Sequence, residues 1–293
     1  MKNVMVLALA LGLGGTILAQ QAQMPAFTRP ANPAIPMYDS GDGSQPAAAL
    51  KASPRKAEWV DVKMADGTTI KTWMVQPQGS GKAGVVIVIH EIYGLTDWVR
   101  AVADHVAQDG FVALAPDLLS GMGPNGTGSA ELGQQGSTQT IRTLTVDMRN
   151  ARLNAVMDYG KKLPSSNGKT GSVGFCWGGG TSLLYAIAQP GLSAAVMFYG
   201  PAPAQQGSPT PDLSGLPSIK APILALYGGN DNRVTSTAQP IADEMKKLGK
   251  PFEFHVYDGA AHGFVRQQTT EANYKATTES WPLVVKFFAD HLK

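Results

Sequence analysis

The chain has 293 residues, a formal net charge of +2, 43% hydrophobic residues and a single cysteine. That is enough apolar material for a sizeable α/β core, and a near-neutral balance without a Lys/Arg cluster argues against a nucleic-acid partner. One cysteine excludes an internal disulfide, and one Cys with five scattered His offers no metal cluster.

Residues 1–19 read as a cleaved signal peptide. Lys2 gives the positive start, positions 4–18 are almost wholly apolar, and Ile17 with Ala19 permits cleavage after Ala19. The run is shorter than the ~20 residues that span a bilayer, which favours a signal over a membrane anchor. No cysteine follows, so a lipoprotein is excluded. The mature chain is expected to be periplasmic or secreted, with no membrane attachment. Residues 20–57, rich in Ala, Pro, Gln, Gly and Ser and without periodicity, read as a leader and linker before a domain over 58–293.

Two strands, 58–64 and 69–75, flank the turn Asp66-Gly67, and 85–89 is a continuous apolar run of the kind that forms a strand buried on both faces. Trp98, Val102 and Val106 mark a helix over 97–108, and 111–115 is a second buried strand stopped by Pro116. The Gly/Ser/Gln-rich stretch 120–138 reads as a long loop. Ile141, Leu144, Met148, Ala151, Ala155 and Tyr159 predict one face of the next helix. A strand at 172–175, a helix at 181–187 and strands at 194–199 and 222–227 follow, with a Pro/Ser-rich insertion at 201–220. Ser236 can cap a helix carrying Ile241, Met245 and Leu248. Strict alternation over 252–257 predicts a strand near a sheet edge, and a last helix spans about 271–291, where Pro282 can kink or split it. This alternation predicts an α/β fold, a mainly parallel sheet of about eight strands flanked by helices.

Three motif matches fail. Gly121-Met-Gly-Pro-Asn-Gly126 has dinucleotide-loop spacing, but it does not directly follow a strand and Pro124 interrupts it. Gly168-Lys169-Thr170 ends like a phosphate loop, but Leu163 stands where the first glycine belongs. His90-Glu91 could begin a zinc helix motif, but Gly94 replaces the second histidine.

Gly174-Phe-Cys176-Trp-Gly178 fits the Gly-x-Ser-x-Gly nucleophile elbow with Cys for Ser. A strand turning sharply into a helix leaves no room for Cβ atoms at the two glycines. The helix N-terminus favours thiolate, and the N–H of Trp177 is free for an oxyanion. Taken alone, Cys176 could be an inert core thiol; the strand–turn–helix context points to a nucleophile. His262, after the last strand, is the candidate base. Asp231, just past the strand 222–227, is the candidate acid. Asp258 competes with it but is too near His262 in sequence.

From about residue 58 onward the chain resembles the dienelactone hydrolase family of α/β-hydrolases. The matches are His90-Glu91-Ile92-Tyr93-Gly94, Gly-Phe-Cys176-Trp-Gly-Gly, Tyr-Gly-Gly-x-Asp231 and Ala-His262-Gly-Phe-x-Arg266. The resemblance implies a Cys176–His262–Asp231 triad and a second acid, Glu91, beside the resting thiol and displaced by substrate. It implies Ile92 N–H as the second oxyanion donor and Arg266 as an anchor for a substrate carboxylate. An ordinary ion pair for Glu91 and a solvated loop position for Arg266 are the plainer alternatives. Arg142 is a candidate for the family's other carboxylate-binding arginine. Tyr93 and Trp177 are candidate pocket walls. The expected activity is hydrolysis of a small-molecule ester or lactone through a thioester, with no cofactor. A broad carboxylesterase and a non-catalytic exported binding protein are the rivals.

Overall fold

The computed structural model describes residues 27–293 apart from 37, 40, 206, 207 and 209, so the signal peptide expected at 1–19 lies outside the described residues. Eight strands form one sheet: β1 (Ala57–Lys63), β2 (Thr69–Val75), β3 (Ala83–Ile89), β4 (Val112–Pro116), β5 (Ser166–Phe175), β6 (Ala194–Phe198), β7 (Ile223–Gly228) and β8 (Phe252–Tyr257). Their order is β1-β2-β4-β3-β5-β6-β7-β8. β1 and β2 pair antiparallel with each other and with β4, and every pairing from β4 through β8 is parallel. β8 lies at the edge, as its alternation predicts.

Adjacent residues of β3 feed opposite cores, which is why its apolar run is unbroken. Val85, Ile87 and Ile89 join a cluster with α4 (Val146–Lys161), α5 (Trp177–Ala188) and α7 (Ala238–Lys247). Val86 and Val88 join the other, with α2 (Asp97–Gln108) and α8 (Glu271–Leu292). Helices therefore cover both faces of the sheet. Among the described residues no helix is long and apolar enough to cross a membrane.

Several elements differ from the sequence expectation. The leader contains a helix, α1 (Ser44–Ala52), packed on α2. Its order comes from tertiary contacts: Arg55 grips Asp104 on α2 through Nε at 3.0 Å and Nη2 at 2.5 Å, and Ile35 is buried against the α2/α8 core. The expected loop at 120–138 holds α3 (Ser129–Thr140), which Gly133 kinks. Asp117 anchors its start by accepting the N–H and hydroxyl of Ser129 at 2.8 and 2.5 Å.

The next helix, α4, begins only at Val146, capped by Thr145. Its buried face is Arg152, Leu153, Val156 and Met157, whereas Met148 is 38% exposed. Arg152 hides there because it donates to the carbonyls of Leu118 and Ser120, a pairing that no polarity pattern reveals. Helix α5 starts at Trp177, so the glycines lie inside it rather than before it. After a single turn, α6 (Asn232–Thr235), Thr237 rather than Ser236 stands at the N-cap of α7. Pro282 does not split α8, whose buried Trp281, Val284, Phe288 and Leu292 hold it on the sheet.

Candidate active site

In a parallel sheet the strand C-termini share one edge, and ligands bind in the crevice outside it. Here that edge gathers Glu91 after β3, Cys176 after β5, Tyr199 after β6, Asp231 after β7 and His262 after β8.

Cys176 occupies the N-cap of α5 at φ 54°, ψ −117°, a left-handed backbone that a side chain rarely adopts. The turn is held by Cys176 N–H donating to Phe198 O at 3.0 Å and by Gly179 N–H returning to Cys176 O at 3.0 Å. A Cβ on Gly174 would lie 1.9 Å from Gly178 O, and one on Gly178 would lie 2.3 Å from Ile89 O. The glycines of the motif are therefore required by backbone contact. The second of them presses the elbow against the end of β3 and so brings Glu91 and Ile92 beside it. Among the described residues, neither Ile92 N–H nor Trp177 N–H is consumed by another backbone carbonyl.

His90 sets this strand end. Its ring accepts the Leu118 N–H through Nε2 at 3.2 Å, so Nδ1 carries the proton and donates to Glu91 O at 2.7 Å. The ring also stacks on Trp177, centroids 5.6 Å apart. Burial pulls the pKa of His90 down, which fits its neutral form.

The candidate base and acid come from two loops clasped together. Asn230 N–H donates to Ala260 O at 2.9 Å, and a Cβ on Gly228 would meet Ala260 O at 2.6 Å. Asn273 on α8 ties the loop down, accepting Ala261 N–H at 2.8 Å and donating to Gln267 O at 2.7 Å. His262 Nδ1 then lies 2.5 Å from Asp231 Oδ2. Asp258, the competitor, is exposed. The imidazole stays one-third exposed on its outer side, while Asp231 is largely covered. The structure shows His262 bonded to Asp231 rather than to the thiol.

Two opposing influences act on the thiol. The helix N-terminus favours thiolate, and the Trp177 N–H and the Arg233 charge lower the Cys176 pKa. Burial first, then the Glu91 charge, pushes it up, and these prevail: the pKa stands at about 11. The resting thiol is neutral at physiological pH. Glu91 itself is buried, and burial drives its carboxyl up to about 7, with Arg266 opposing and Asp39 adding to the rise.

Glu91 Oε2 lies 3.2 Å from Arg266 Nε, an ion pair whose Nε–H is not aligned for a hydrogen bond. The guanidinium stacks on Tyr93 at 5.0 Å. Burial works against the charge of Arg266, yet Glu91, Tyr199, Tyr93 and Asp39 together hold its pKa above the ordinary value. Glu91, Ile92, Tyr93, Cys176, Trp177 and Arg266 thus share one neighbourhood, next to the His262–Asp231 pair. Arg142 does not join them: it is exposed on a short turn, and the arginine that reaches the elbow is Arg149, over the Trp177 ring at 5.2 Å and bonded to Thr181 Oγ1 at 3.1 Å.

Sequence reasoning missed Tyr199. It is fully buried at φ 38°, its ring meets His262 edge-on at 5.1 Å, and its hydroxyl has no hydrogen-bond partner. Burial, with Glu91 and Cys176 nearby, raises its pKa well above the usual phenol value. Its position at the C-terminal end of a buried parallel strand was the available signal. Among the described residues no cluster of His, Cys, Asp and Glu could hold a metal.

Known proteins resemble this chain. Residues 70–292 match the Dienelactone hydrolase family. A protein of Saccharolobus solfataricus, provisionally named carboxymethylenebutenolidase, is 28% identical over 260 residues, covering 76% of this chain and 95% of its own. One from Escherichia coli K12, named in the same way, is 27% identical over 236 residues, covering 78% and 84%. Among solved structures, dienelactone hydrolase from Anabaena variabilis superposes with a TM-score of 0.60 at 24% identity, over 82% of this chain and 99% of that one. A dienelactone hydrolase-like promiscuous phosphotriesterase from metagenomic libraries gives 0.66 at 23%, over 82% and 99%. With the eight-stranded sheet and the elbow in place, the family match over residues 70–292 makes this chain an α/β-hydrolase that belongs to the dienelactone hydrolase family of ester and lactone hydrolases.

Proposed function

We propose that the protein hydrolyses a small carboxylic ester or lactone through a thioester on Cys176, with His262 as base and Asp231 as its orienter. The observation that carries this reading is the strained Cys176 at the head of α5, on the same sheet edge as an imidazole held by a covered carboxylate. Geometry of this kind generates a nucleophile only when a base can take the thiol proton.

At rest the thiol is protonated, because burial and Glu91 disfavour its charge. Substrate entry draws Glu91 away and brings the scissile carbonyl to Sγ. The thiol proton passes to His262 Nε2 as sulfur attacks the carbonyl carbon. The tetrahedral oxyanion accepts hydrogen bonds from the N–H groups of Trp177 and Ile92. Collapse breaks the carbon–oxygen bond, and His262 returns its proton to the leaving oxygen. Water then attacks the thioester, giving a proton to His262. The second collapse releases the carboxylic acid and restores the thiol. Asp231 holds the imidazole by Nδ1 and stabilises its cation at each step. No step calls for a cofactor.

The test is a screen of para-nitrophenyl esters and butenolide lactones with the purified mature chain. Turnover is expected, with kcat reduced at least ~10⁴-fold in Cys176→Ala, in line with the loss of a triad nucleophile. Turnover by Cys176→Ala equal to that of the parent would overturn the thioester route, whereas no turnover by the parent on any ester or lactone would leave the binding-protein reading.

A further inference from the structure

The N-terminal segment that precedes α1 reaches the candidate site. Asp39 N–H donates to the carbonyl of Arg266 at 3.0 Å, and Asp39 Oδ2 stands 4.0 Å from Arg266 Nη1. The other carboxylate oxygen, Oδ1, accepts the N–H groups of Gly41 and Gly43 at 2.9 and 3.2 Å, so the carboxylate is fixed in direction. The Asp39 and Arg266 side chains are only 11% and 15% exposed, where charge is poorly screened by solvent.

The segment is fastened to the loop that carries the base. Gln268, wholly buried, accepts Arg29 Nε at 2.7 Å and donates to Pro36 O at 2.9 Å and Val265 O at 2.7 Å. Gln108 donates to Pro33 O at 2.9 Å. The Asp39 carboxylate is thus part of the folded site.

Arg266 therefore faces two carboxylates before any substrate arrives: Glu91 from the strand end and Asp39 from the N-terminal segment. A cavity of about 400 Å³ opens beside it, lined by Asp39, Asp42, Asp97, Trp98, Gln134 and Arg266 among others. Asp97 is paired with Arg100.

Resting on the hydrolase reading above, we propose that Asp39 is a specificity-determining residue that answers the charge of Arg266 from within the chain, so that this enzyme selects uncharged esters or lactones over those carrying a carboxylate. An anionic substrate has to displace or repel Asp39 to use Arg266. A neutral one meets a cation whose charge is already balanced. Asp39 precedes α1 and lies ahead of the segment matched to the family, residues 70–292.

The experiment compares two para-nitrophenyl esters of matched length: the pentanoate, with a terminal methyl, and the hydrogen glutarate, with a carboxylate in its place. The full mature chain is expected to favour the pentanoate. Asp39→Asn keeps an acceptor for Gly41 and Gly43 but removes the charge. It is expected to raise the glutarate-to-pentanoate ratio of kcat/KM by about tenfold, on the order of one charge–charge interaction in a partly buried site. Asp39→Glu restores the charge and should bring the ratio back toward that of the parent. An unchanged or falling ratio in an active Asp39→Asn enzyme overturns the proposal. Loss of the thioester reading shows differently, as Cys176→Ala turning over the pentanoate at the parent rate.

Discussion

At the elbow, the backbone is constrained mainly by neighbours a few residues away. Gly174 and Gly178 touch, Cys176 sits between them, and the helix that follows is capped by the same residues that form the turn. The N-terminal segment at 27–43 is held the opposite way. Arg29 and Pro36 meet Gln268, more than 230 positions along the chain, and Asp39 meets Arg266. The first region places a reactive atom. The second brings a carboxylate to Arg266 and Glu91. Contacts local in sequence shape the candidate nucleophile's turn, and contacts distant in sequence set the charges beside Arg266.

The sharpest way to break that contrast is at Gly174. An added methyl has 1.9 Å to the Gly178 carbonyl, and its nearest neighbours are all backbone atoms of Gly178 and Gly179, with nothing flexible to give way. Gly174→Ala should cost about 3 kcal/mol or more and abolish turnover, because overpacking against backbone cannot relax by a rotamer change. A thermal melt and an esterase assay check it; near-parent stability would mean that the elbow is less tightly built than described.

The thiol gives a smaller effect. With its pKa pushed up to about 11 from an ordinary 9, Cys176 holds its proton at pH 8. Iodoacetamide should therefore alkylate it roughly 100-fold more slowly than an ordinary thiol, two pKa units lowering the thiolate fraction by that factor. The rate should climb with pH toward 11, since only the thiolate reacts. Glu91→Gln removes the second-largest cause of the shift and should speed alkylation severalfold. A slower or unchanged rate would count against Glu91 acting through its charge.

The smallest effect belongs to the N-terminal segment. Gln268→Ala removes the side chain that bonds Arg29 and Pro36. It should lower stability by about 1–3 kcal/mol, the usual cost of buried polar groups losing their partners. Limited proteolysis should then cut within 27–43 while the sheet persists. Cleavage no faster than in the parent would show that apolar contacts such as Ile35 suffice to hold the segment.

Much of the candidate site was legible in advance because short motifs mark its residues. The elbow, the histidine after the last strand and the aspartate after β7 each announce themselves by residue type at a strand end. Arg149 and Tyr199 did not. Arg149 reaches the elbow from a helix that begins later than its apolar spacing suggests, and Tyr199 looks like one more buried aromatic until its neighbours are known. Arg152 shows the same limit in the fold: a charged residue on a buried helix face is explained only by the carbonyls that receive it.

From the sequence alone came the layered α/β architecture, since unbroken apolar runs alternating with helical spacing have one economical packing, and the identity of the candidate nucleophile, since only glycine permits that turn. Tertiary structure alone decided that residues read as a linker form part of the site, that Glu91 faces Arg266, and that Asp39 faces it as well. The physical reason is range. Steric limits on the backbone act between neighbours and leave a mark on local composition, whereas an ion pair forms between whichever charges folding brings within a few ångströms.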